Sequence, residues 1–547
     1  MLDSLEGDVF DLIIIGAGAG GATLAHALAP TGLRIAVLER GGYLPREKDN
    51  WNSRAVFTDE RYHTQDRWLD AEGKPFRPGQ HYYVGGNTKV YGSALLRFRE
   101  SDFRATQHVD GISPAWPIDY AAFEPYYTRA ERLYHVHGER GCDPTEPPAS
   151  APYPYPAVRN EPRIARLAAD LSAIGLRPFA LPMGLILDED RRDESPCIRC
   201  STCDGFPCLV NGKADAHIVA MLPALEHPNV TLETHAYVER LETSASGREI
   251  TGVVVVREGR STTLRAHVVV VSSGAVNSAA LLLRSANDHH PQGLANGSGV
   301  VGRHYMCHDS SVMVAISKEP NPTVFQKTIG INDFYDRADD FPYPLGHIQM
   351  LGKSDGEMFR GDAPGFVPKA ILDLMATHGI DFWLTTEDLP KADNRVTLER
   401  DGTIRLSYKQ NNLEAHERLK KKLGNAMERI GAAPHLLPNN VYLSKSIPIN
   451  GVAHQSGTVR FGLDPQTSAL DLDCKAHELD NLYVVDSSFF VSITAVNPAL
   501  TVAANAMRVA EHLSARFGIG SAQNADYGFL SDSATDRVVR EAESRTP

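Results

Sequence analysis

The stretch Val452-Ala453-His454-Gln455-Ser456-Gly457-Thr458 is answered downstream by Thr494-Ala495-Val496-Asn497-Pro498-Ala499-Leu500-Thr501. Together the two segments offer the groups that alcohol oxidation needs. Hydride leaves a carbinol carbon more readily once the hydroxyl proton is departing, so a base must stand within hydrogen-bond reach of that hydroxyl. His454 is the expected base, since an imidazole with an ordinary pKa of about 6.5 can be neutral at working pH and hold the proton afterwards. Asn497 is expected to donate its amide N–H to the same oxygen and stabilise alkoxide charge in a water-poor pocket. Each residue also has a plainer reading. The chain holds 21 histidines, most of which would sit on surfaces or in satisfied cores, and Asn-Pro readily starts a turn. His477 is the nearest competing base, but its polar, turn-like neighbourhood predicts an exposed ring.

These groups require a hydride acceptor and a frame to hold it. Phe10–Ile15 reads as a buried parallel strand, Thr23–Leu28 as a helix and Arg34–Glu39 as a second strand, which makes a βαβ unit. Between strand and helix, Gly16-Ala17-Gly18-Ala19-Gly20-Gly21 fits G-x-G-x-x-G. Gly16 serves the turn, Gly18 lets a pyrophosphate approach the backbone, and Gly21 allows close helix packing. The helix N-terminus then faces the phosphates, while Glu39 can accept hydrogen bonds from a ribose 2′-OH and would repel a 2′-phosphate. A purely structural glycine turn explains neither Glu39 nor the spacing.

The motif alone leaves NAD and FAD open. Strand-like runs recur at 230–232, 252–257, 267–273 and 482–485, the last two leading into Ser272-Ser273-Gly274 and Asp486-Ser487-Ser488. A nucleotide fold assembled from the first, middle and last parts of the chain is discontinuous, as in flavoproteins. The helix expected at Ala279–Arg284 belongs to the same unit.

Composition sets the outer bounds. The chain has 547 residues, 42% hydrophobic and 22% charged, enough for a large core and more than one domain. Its formal net charge of −13 argues against a nucleic-acid footprint, which would need a basic face. The first residues lack the basic region of a secretory signal, and no apolar run reaches the ~18 residues of a membrane span. A cytoplasmic enzyme is therefore expected. Between the nucleotide segments, Val312–Ile316, Leu345–Leu351 and Arg395–Leu398 read as strands. Leu413–Ile430 reads as an amphipathic helix whose Glu417, Arg418, Lys420 and Lys421 form a solvated face, and the chain turns polar after Phe517.

The glycine fingerprint, Gly85-Gly86-Asn87-Thr88-Lys89-Val90-Tyr91-Gly92, Asn394-Arg395-Val396-Thr397-Leu398, the His454 segment and the Asn497-Pro498 segment resemble, in order and spacing, the glucose-methanol-choline (GMC) oxidoreductases. The resemblance runs from about Asp8 to Leu513 and is nearest to the branch of pyranose oxidases, glycoside 3-oxidases, glucoside 3-dehydrogenases and aminoglycoside oxidases. It implies FAD, bound by Gly16, Gly18, Gly21, Glu39, Gly86, Asn87, Thr88, Val238, Gly274, Asp486, Pro498 and Thr501. Asn87 and Thr88 would lie along the isoalloxazine edge, and Asp486 near the ribityl chain or pyrophosphate. Where fungal pyranose oxidases carry a flavin-linked histidine this chain has Val90, or Lys89 or Tyr91 if the match shifts by one. Val90 forms no such bond, so the implied FAD is non-covalent.

A second cluster stands apart. Cys197-x2-Cys200-x2-Cys203-x4-Cys208 is close to a ferredoxin-type spacing, with one extra residue before the last cysteine and Pro207 preceding it. Three readings stay open: an iron-sulfur cluster passing electrons to a cytochrome, a structural zinc site, or reduced or locally bridged cysteines packed beneath the flavin domain.

The resulting expectation is an α/β chain with a discontinuous Rossmann-like FAD domain (1–99, 188–307 and 440–515). An α+β substrate domain with an antiparallel sheet (100–187 and 308–439) and a polar tail (516–547) complete it. The expected reaction is FAD-dependent oxidation of a secondary or primary alcohol on a sugar, glycoside or polyol, with a glycoside 3-oxidase or dehydrogenase foremost. An aminoglycoside 6′-alcohol oxidase, a pyranose 2-oxidase and, more distantly, a non-redox flavin-containing lyase are the alternatives. Dioxygen, a quinone or a cytochrome would accept the electrons.

Overall fold

The computed structural model describes residues 7–360, 366–437 and 454–520. Val452, Ala453 and most of the C-terminal tail lie outside the described residues. In chain order, the strands of the two large sheets are β1 (Val9–Ile15), β2 (Ile35–Leu38), β3 (Phe179–Ala180), β4 (Val230–Glu233), β5 (Tyr237–Thr243), β6 (Ile250–Arg257) and β7 (Arg260–Val271). They continue as β8 (Asp309–Ile316), β9 (Ile329–Ile331), β10 (His347–Met350), β11 (Gly379–Thr386), β12 (Ala433–Leu437) and β13 (Leu482–Val484). The helices that bear on the site are α1 (Ala19–Leu28), α2 (Tyr120–Leu133), α3 (Ala275–Arg284), α4 (Leu413–Arg429) and α5 (Ala499–Arg516).

The first sheet has the order β4-β2-β1-β7-β6-β5, with β13 also paired to β7. Its core pairs are parallel: β1 with β2 and β7, β4 with β2, and β7 with β13. Strands that feel apolar neighbours on both faces read as unbroken aliphatic runs, and Leu12, Ile13, Ile14, Val269, Val270 and Val484 are fully buried. Strand β7 has 12 residues and begins at Arg260, well before the 267–273 that the sequence suggests. Its first half carries the antiparallel hairpin with β6 while its second half enters the parallel core.

Helix α1 starts at Ala19 rather than at Thr23, and α3 at Ala275 rather than Ala279. Glycine's weak helix propensity hides the first turn of α1 from a sequence reading; packing overrides it. A Cβ on Gly20 would lie 1.9 Å from the Val485 carbonyl oxygen, and one on Gly21 2.0 Å from that of Gly16. Helix α1 also packs on α5, which lies on α2 in turn.

The second sheet, β12-β8-β11-β10-β9-β3, is antiparallel throughout. Helix α4 covers it, burying Ala415, Leu419, Leu423 and Met427 against its apolar face and leaving Glu417 and Lys421 exposed. The Thr385 hydroxyl on β11 donates to the Ala495 carbonyl at 2.7 Å, tying this sheet to the segment that carries Asn497. No described helix is long and apolar enough to cross a membrane.

The glycine geometry separates packing from ligand approach. Gly21→Ala should destabilise the flavin-free protein by about 1–3 kcal/mol, the usual cost of overpacking. Gly18→Ala, whose Cβ would meet nothing within 4 Å, should unfold within ~1 kcal/mol of the parent. Urea denaturation of both variants checks this; equal midpoints would refute the distinction.

Candidate active site

The carboxyl ends of β1, β2, β7 and β13 meet at one edge of the first sheet, the place where open parallel sheets form a ligand crevice. A cavity of about 370 Å³ opens there, within the range of small-molecule sites. Gly16 makes the turn out of β1 with φ of +108°, a conformation that side chains resist. Gly18 faces the cavity with nothing within 4 Å of the position a Cβ would take. The first residues of three helices also line the wall: Ala19 of α1, Ala275 of α3 and Ala499 of α5. Unsatisfied N–H groups at helix starts favour anionic groups.

Glu39 ends β2 and lines the same cavity. Its carboxylate accepts the amides of Ala17 at 3.0 Å and Gly41 at 2.9 Å. Burial pushes its pKa up, and those amides pull it back. Beside it Arg40 lies over the Tyr82 ring, and Asn277 donates to the Tyr82 hydroxyl. Val238 and Arg284 complete this end of the wall. A glycine cradle, a carboxylate at the ribose position and three helix starts fit a dinucleotide such as FAD.

Asp486 also reaches the cavity, but its oxygens are already engaged. They accept from the Gly274 amide (2.9 Å), the Ser278 hydroxyl (2.5 Å), and both the amide (2.8 Å) and hydroxyl of Ser488. Its first service is to clamp the ends of β7 and β13 together. Burial raises its pKa against the pull of these donors.

At the far end of the cavity His454 and Asn497 share the wall with Gln80, His81, Gln349, Trp383 and Gln455. Gln349 and Trp383 face each other in register on β10 and β11. Gln80 donates to Gln455 at 2.8 Å, and Asn87 both accepts the His81 amide (3.1 Å) and donates to Gln80 (3.5 Å). His454 has φ of +62°, strained for a histidine. Burial, then the neighbouring His308, holds its pKa well below the ordinary imidazole value, so the ring is neutral at neutral pH. Its Nδ1 lies 2.8 Å from Nδ1 of His308, a residue that no sequence motif marks.

Most sequence-nominated residues meet at this cavity: Gly16, Gly18, Glu39, Gly86, Asn87, Thr88, Val90, Val238, Gly274, His454, Asp486, Asn497 and Pro498. Two do not line it. Gly21 packs α1 on the Gly16 turn. Thr501, expected at the cofactor, points to the opposite side of α5, where its hydroxyl hydrogen-bonds Tyr127 at 2.7 Å. The face of α5 that meets the cavity carries Ala499 and Val502, three residues apart. Thr88 lies at the wall, yet its hydroxyl donates to Gly85 O and accepts the Ala216 amide. His477 is half-buried rather than exposed, with Nε2 3.0 Å from the Ser468 hydroxyl.

The four clustered cysteines are free thiols. Among the described residues no group of three or more His, Cys, Asp or Glu converges to hold a metal ion. Burial pushes the Cys197 thiol up to about 12 and the Cys203 thiol up to about 11. As placed, the four thiols make no converging ligand set for iron-sulfur or zinc. It packs instead: buried Lys213 donates to the carbonyls of Cys203 and Phe206, both at 2.9 Å, and neighbouring Asp204 and Gly205 line the cavity.

Family models described as GMC oxidoreductase match residues 10–309 with an N-terminal model and 390–506 with a C-terminal one. The chain belongs to the GMC oxidoreductase family. It is 31% identical to paromamine 6′-oxidase of Streptomyces fradiae, over 92% of this chain and 91% of that protein. It is 30% identical to 6‴-hydroxyparomomycin C oxidase of Streptomyces lividus, over 93% and 92%. A formate oxidase variant from Aspergillus oryzae, studied for FAD modification, superimposes with a TM-score of 0.65 at 15% identity, over 94% of this chain and 99% of that one. As a GMC oxidoreductase the chain is an FAD enzyme acting on CH–OH groups.

The Asp486 clamp is testable in this GMC oxidoreductase. Asp486→Asn places an amide N–H against donors and should cost about 1–3 kcal/mol, the penalty for a buried unpaired group. Flavin retention should fall with it. Chemical denaturation and the ratio of flavin to protein absorbance after gel filtration report both, and parental values in both would dismiss the clamp.

Proposed function

We propose that the enzyme oxidises an alcohol of a neutral sugar, glycoside or related polyol to the carbonyl compound, with His454 as base and Asn497 as the donor to the same oxygen. The observation that carries this reading is the shared cavity: a neutral, half-buried imidazole and an amide stand in one wall with the glycine cradle. His454 takes the hydroxyl proton and Asn497 holds the oxygen as negative charge develops, and water excluded by the bound cofactor and substrate would strengthen both interactions. Bound FAD supplies the hydride acceptor, N5. Val90 at the wall carries no nucleophilic atom, which supports non-covalent binding. The segments 1–99, 188–307 and 440–515 would form the FAD domain and 100–187 with 308–439 the substrate domain.

A neutral substrate is favoured because the wall has no carboxylate to spare. Among the described residues its carboxylates are Glu39, Asp204 and Asp486. Glu39 and Asp486 are held by this chain's own donors. Asp204 is paired with buried Lys327 and the Gly352 amide, both at 2.5 Å. Residues 438–453, which precede His454 in the sequence, contain no Asp or Glu. A polycationic amine would find little compensation here. The two aminoglycoside oxidases that match over more than 90% of the chain support a second reading, in which the substrate is an aminoglycoside and its 6′-alcohol is oxidised. Their oxidase names also favour dioxygen over a quinone or cytochrome as acceptor.

Anaerobic bleaching of the flavin absorbance by neutral glycosides and by aminoglycosides, followed by admission of air or a quinone, tests these readings. Neutral glycosides should bleach the flavin faster, and preference for the aminoglycosides would reverse the order of the two readings. His454→Ala should keep its flavin and lose about 10²–10⁴-fold in bleaching rate, the range of a general base. Unimpaired bleaching would remove His454 as base. The parent rate should persist below pH 6.5 and fall only as pH drops through the depressed His454 pKa.

A further inference from the structure

His308 is fully buried and lies outside the cavity wall. An antiparallel bridge positions it: Met306 and Ser456 exchange both backbone hydrogen bonds at 3.0 Å. Two residues onward on one segment and two back on the other face each other on the same side of such a ladder. His308 therefore meets His454. The rings pack edge to face at 4.9 Å and 83°, with the two Nδ1 atoms 2.8 Å apart.

Two neutral imidazoles in this contact share one Nδ1 proton, and its owner decides what His454 can do. A proton on His308 Nδ1 would leave His454 protonated at Nε2, a donor and no base. A proton on His454 Nδ1 leaves its Nε2 lone pair free. The base role of His454 requires the second arrangement. The backbone carbonyls of Ile493 and Thr494 and the Glu387 carboxylate bear on it, and all three favour a proton on that ring. Nε2 of His308 has no hydrogen-bond partner among the described residues; for His454 Nε2 to act as base, His308 must carry its hydrogen there and leave its Nδ1 bare as the acceptor. The ionisable groups facing His308 are His454, Glu387 and His347.

We infer that His308 is a positioning residue: it fixes the Nδ1–H tautomer of His454 and shares the positive charge that forms when His454 Nε2 takes the substrate proton. In that step the substrate O–H bond breaks and Nε2–H forms. The C–H bond breaks with its electron pair, which passes as hydride to FAD while the alcohol becomes a carbonyl. The hydrogen bond from His454 Nδ1–H to His308 then becomes charge-assisted and stronger. This inference rests on the reading of His454 as base.

His308→Leu and His308→Gln are compared with the parent and with His454→Ala in the FAD-loaded protein, by anaerobic stopped-flow bleaching with one glycoside across pH. His308→Leu should bind flavin in the parental ratio and leave the half-saturating substrate concentration within about 3-fold. It should lose about 10- to 100-fold in limiting rate, as when an orienting partner is removed from a histidine. Its acid limb should leave the parental position, because the ring that shares the proton with His454 is gone. His308→Gln, whose amide oxygen can accept from Nδ1–H, should recover part of the rate. A parental rate in His308→Leu, or equal losses in both variants with the acid limb unmoved, would overturn the inference. If His308→Leu fails to hold flavin, His308→Phe, a ring without an acceptor, takes its place, and a parental limiting rate in that variant overturns the inference. An active His454→Ala would instead defeat the base assignment itself.

Discussion

The carboxylate of Asp486 gathers hydrogen bonds from Gly274, Ser278 and Ser488, residues from two chain regions about 200 positions apart in sequence. Strands β7 and β13 already lie side by side, but parallel pairing fixes only their direction and register. The clamp at their carboxyl ends fixes where the chain goes next. From Asp486 the turn Ser487–Phe489 presents carbonyls that take the amides of Gly457 (3.1 Å) and Val459 (2.8 Å), while the Ser487 hydroxyl donates to Gln455 O at 2.5 Å. The loop behind His454 is thus laid along the segment that Asp486 anchors. Ser456 in that loop bonds Met306, and Met306 brings His308 into place.

The second sheet enters the site through the same small region. Its β11 carries Thr385, which holds the Ala495 carbonyl, and Trp383, which lines the cavity opposite Gln349. Strand alternation makes these assignments compatible: Trp383 and Thr385 lie two residues apart and share a face, so one edge of β11 supports the Asn497 segment and borders the cavity together. Thr494, in the segment so held, has φ of +59°, and His454 likewise has positive φ. Two strained backbone positions need rigid supports, and these are the two sheets.

What could be read in the sequence follows the range of the interactions. The β1 turn, Glu39 and the course of the parallel strands were legible because each is a local pattern with its own chemistry. The start of α1 was misplaced where glycines serve packing: the contact that justifies Gly20 comes from Val485, far along the chain, and that for Gly21 from the Gly16 turn, which takes its shape only in the fold. Thr501 was assigned to the cofactor from its motif, yet helical periodicity turns it toward Tyr127. The cysteine spacing looked like a ligand set, and only three dimensions show two buried and two half-buried thiols without convergence. His308 carried no signal, because a residue that works through another leaves its trace in a bridge register rather than in a motif.

Burial gives the site its readiness and its difficulty together. It keeps His454 neutral, so the base is available without a prior deprotonation, but the same desolvation disfavours the imidazolium that must follow. An alkoxide and an imidazolium formed fully before hydride departure would leave two charges in a cavity whose carboxylates are all committed. The geometry therefore favours proton and hydride leaving in close concert, so that negative charge on oxygen never accumulates beyond what an Asn497 amide can hold. The positive charge is met by the His308 lone pair, a neutral acceptor. A carboxylate in its place would hold His454 protonated before substrate arrived and remove the base. An imidazole partner is strong enough to stabilise the charge once formed and too weak to summon it early.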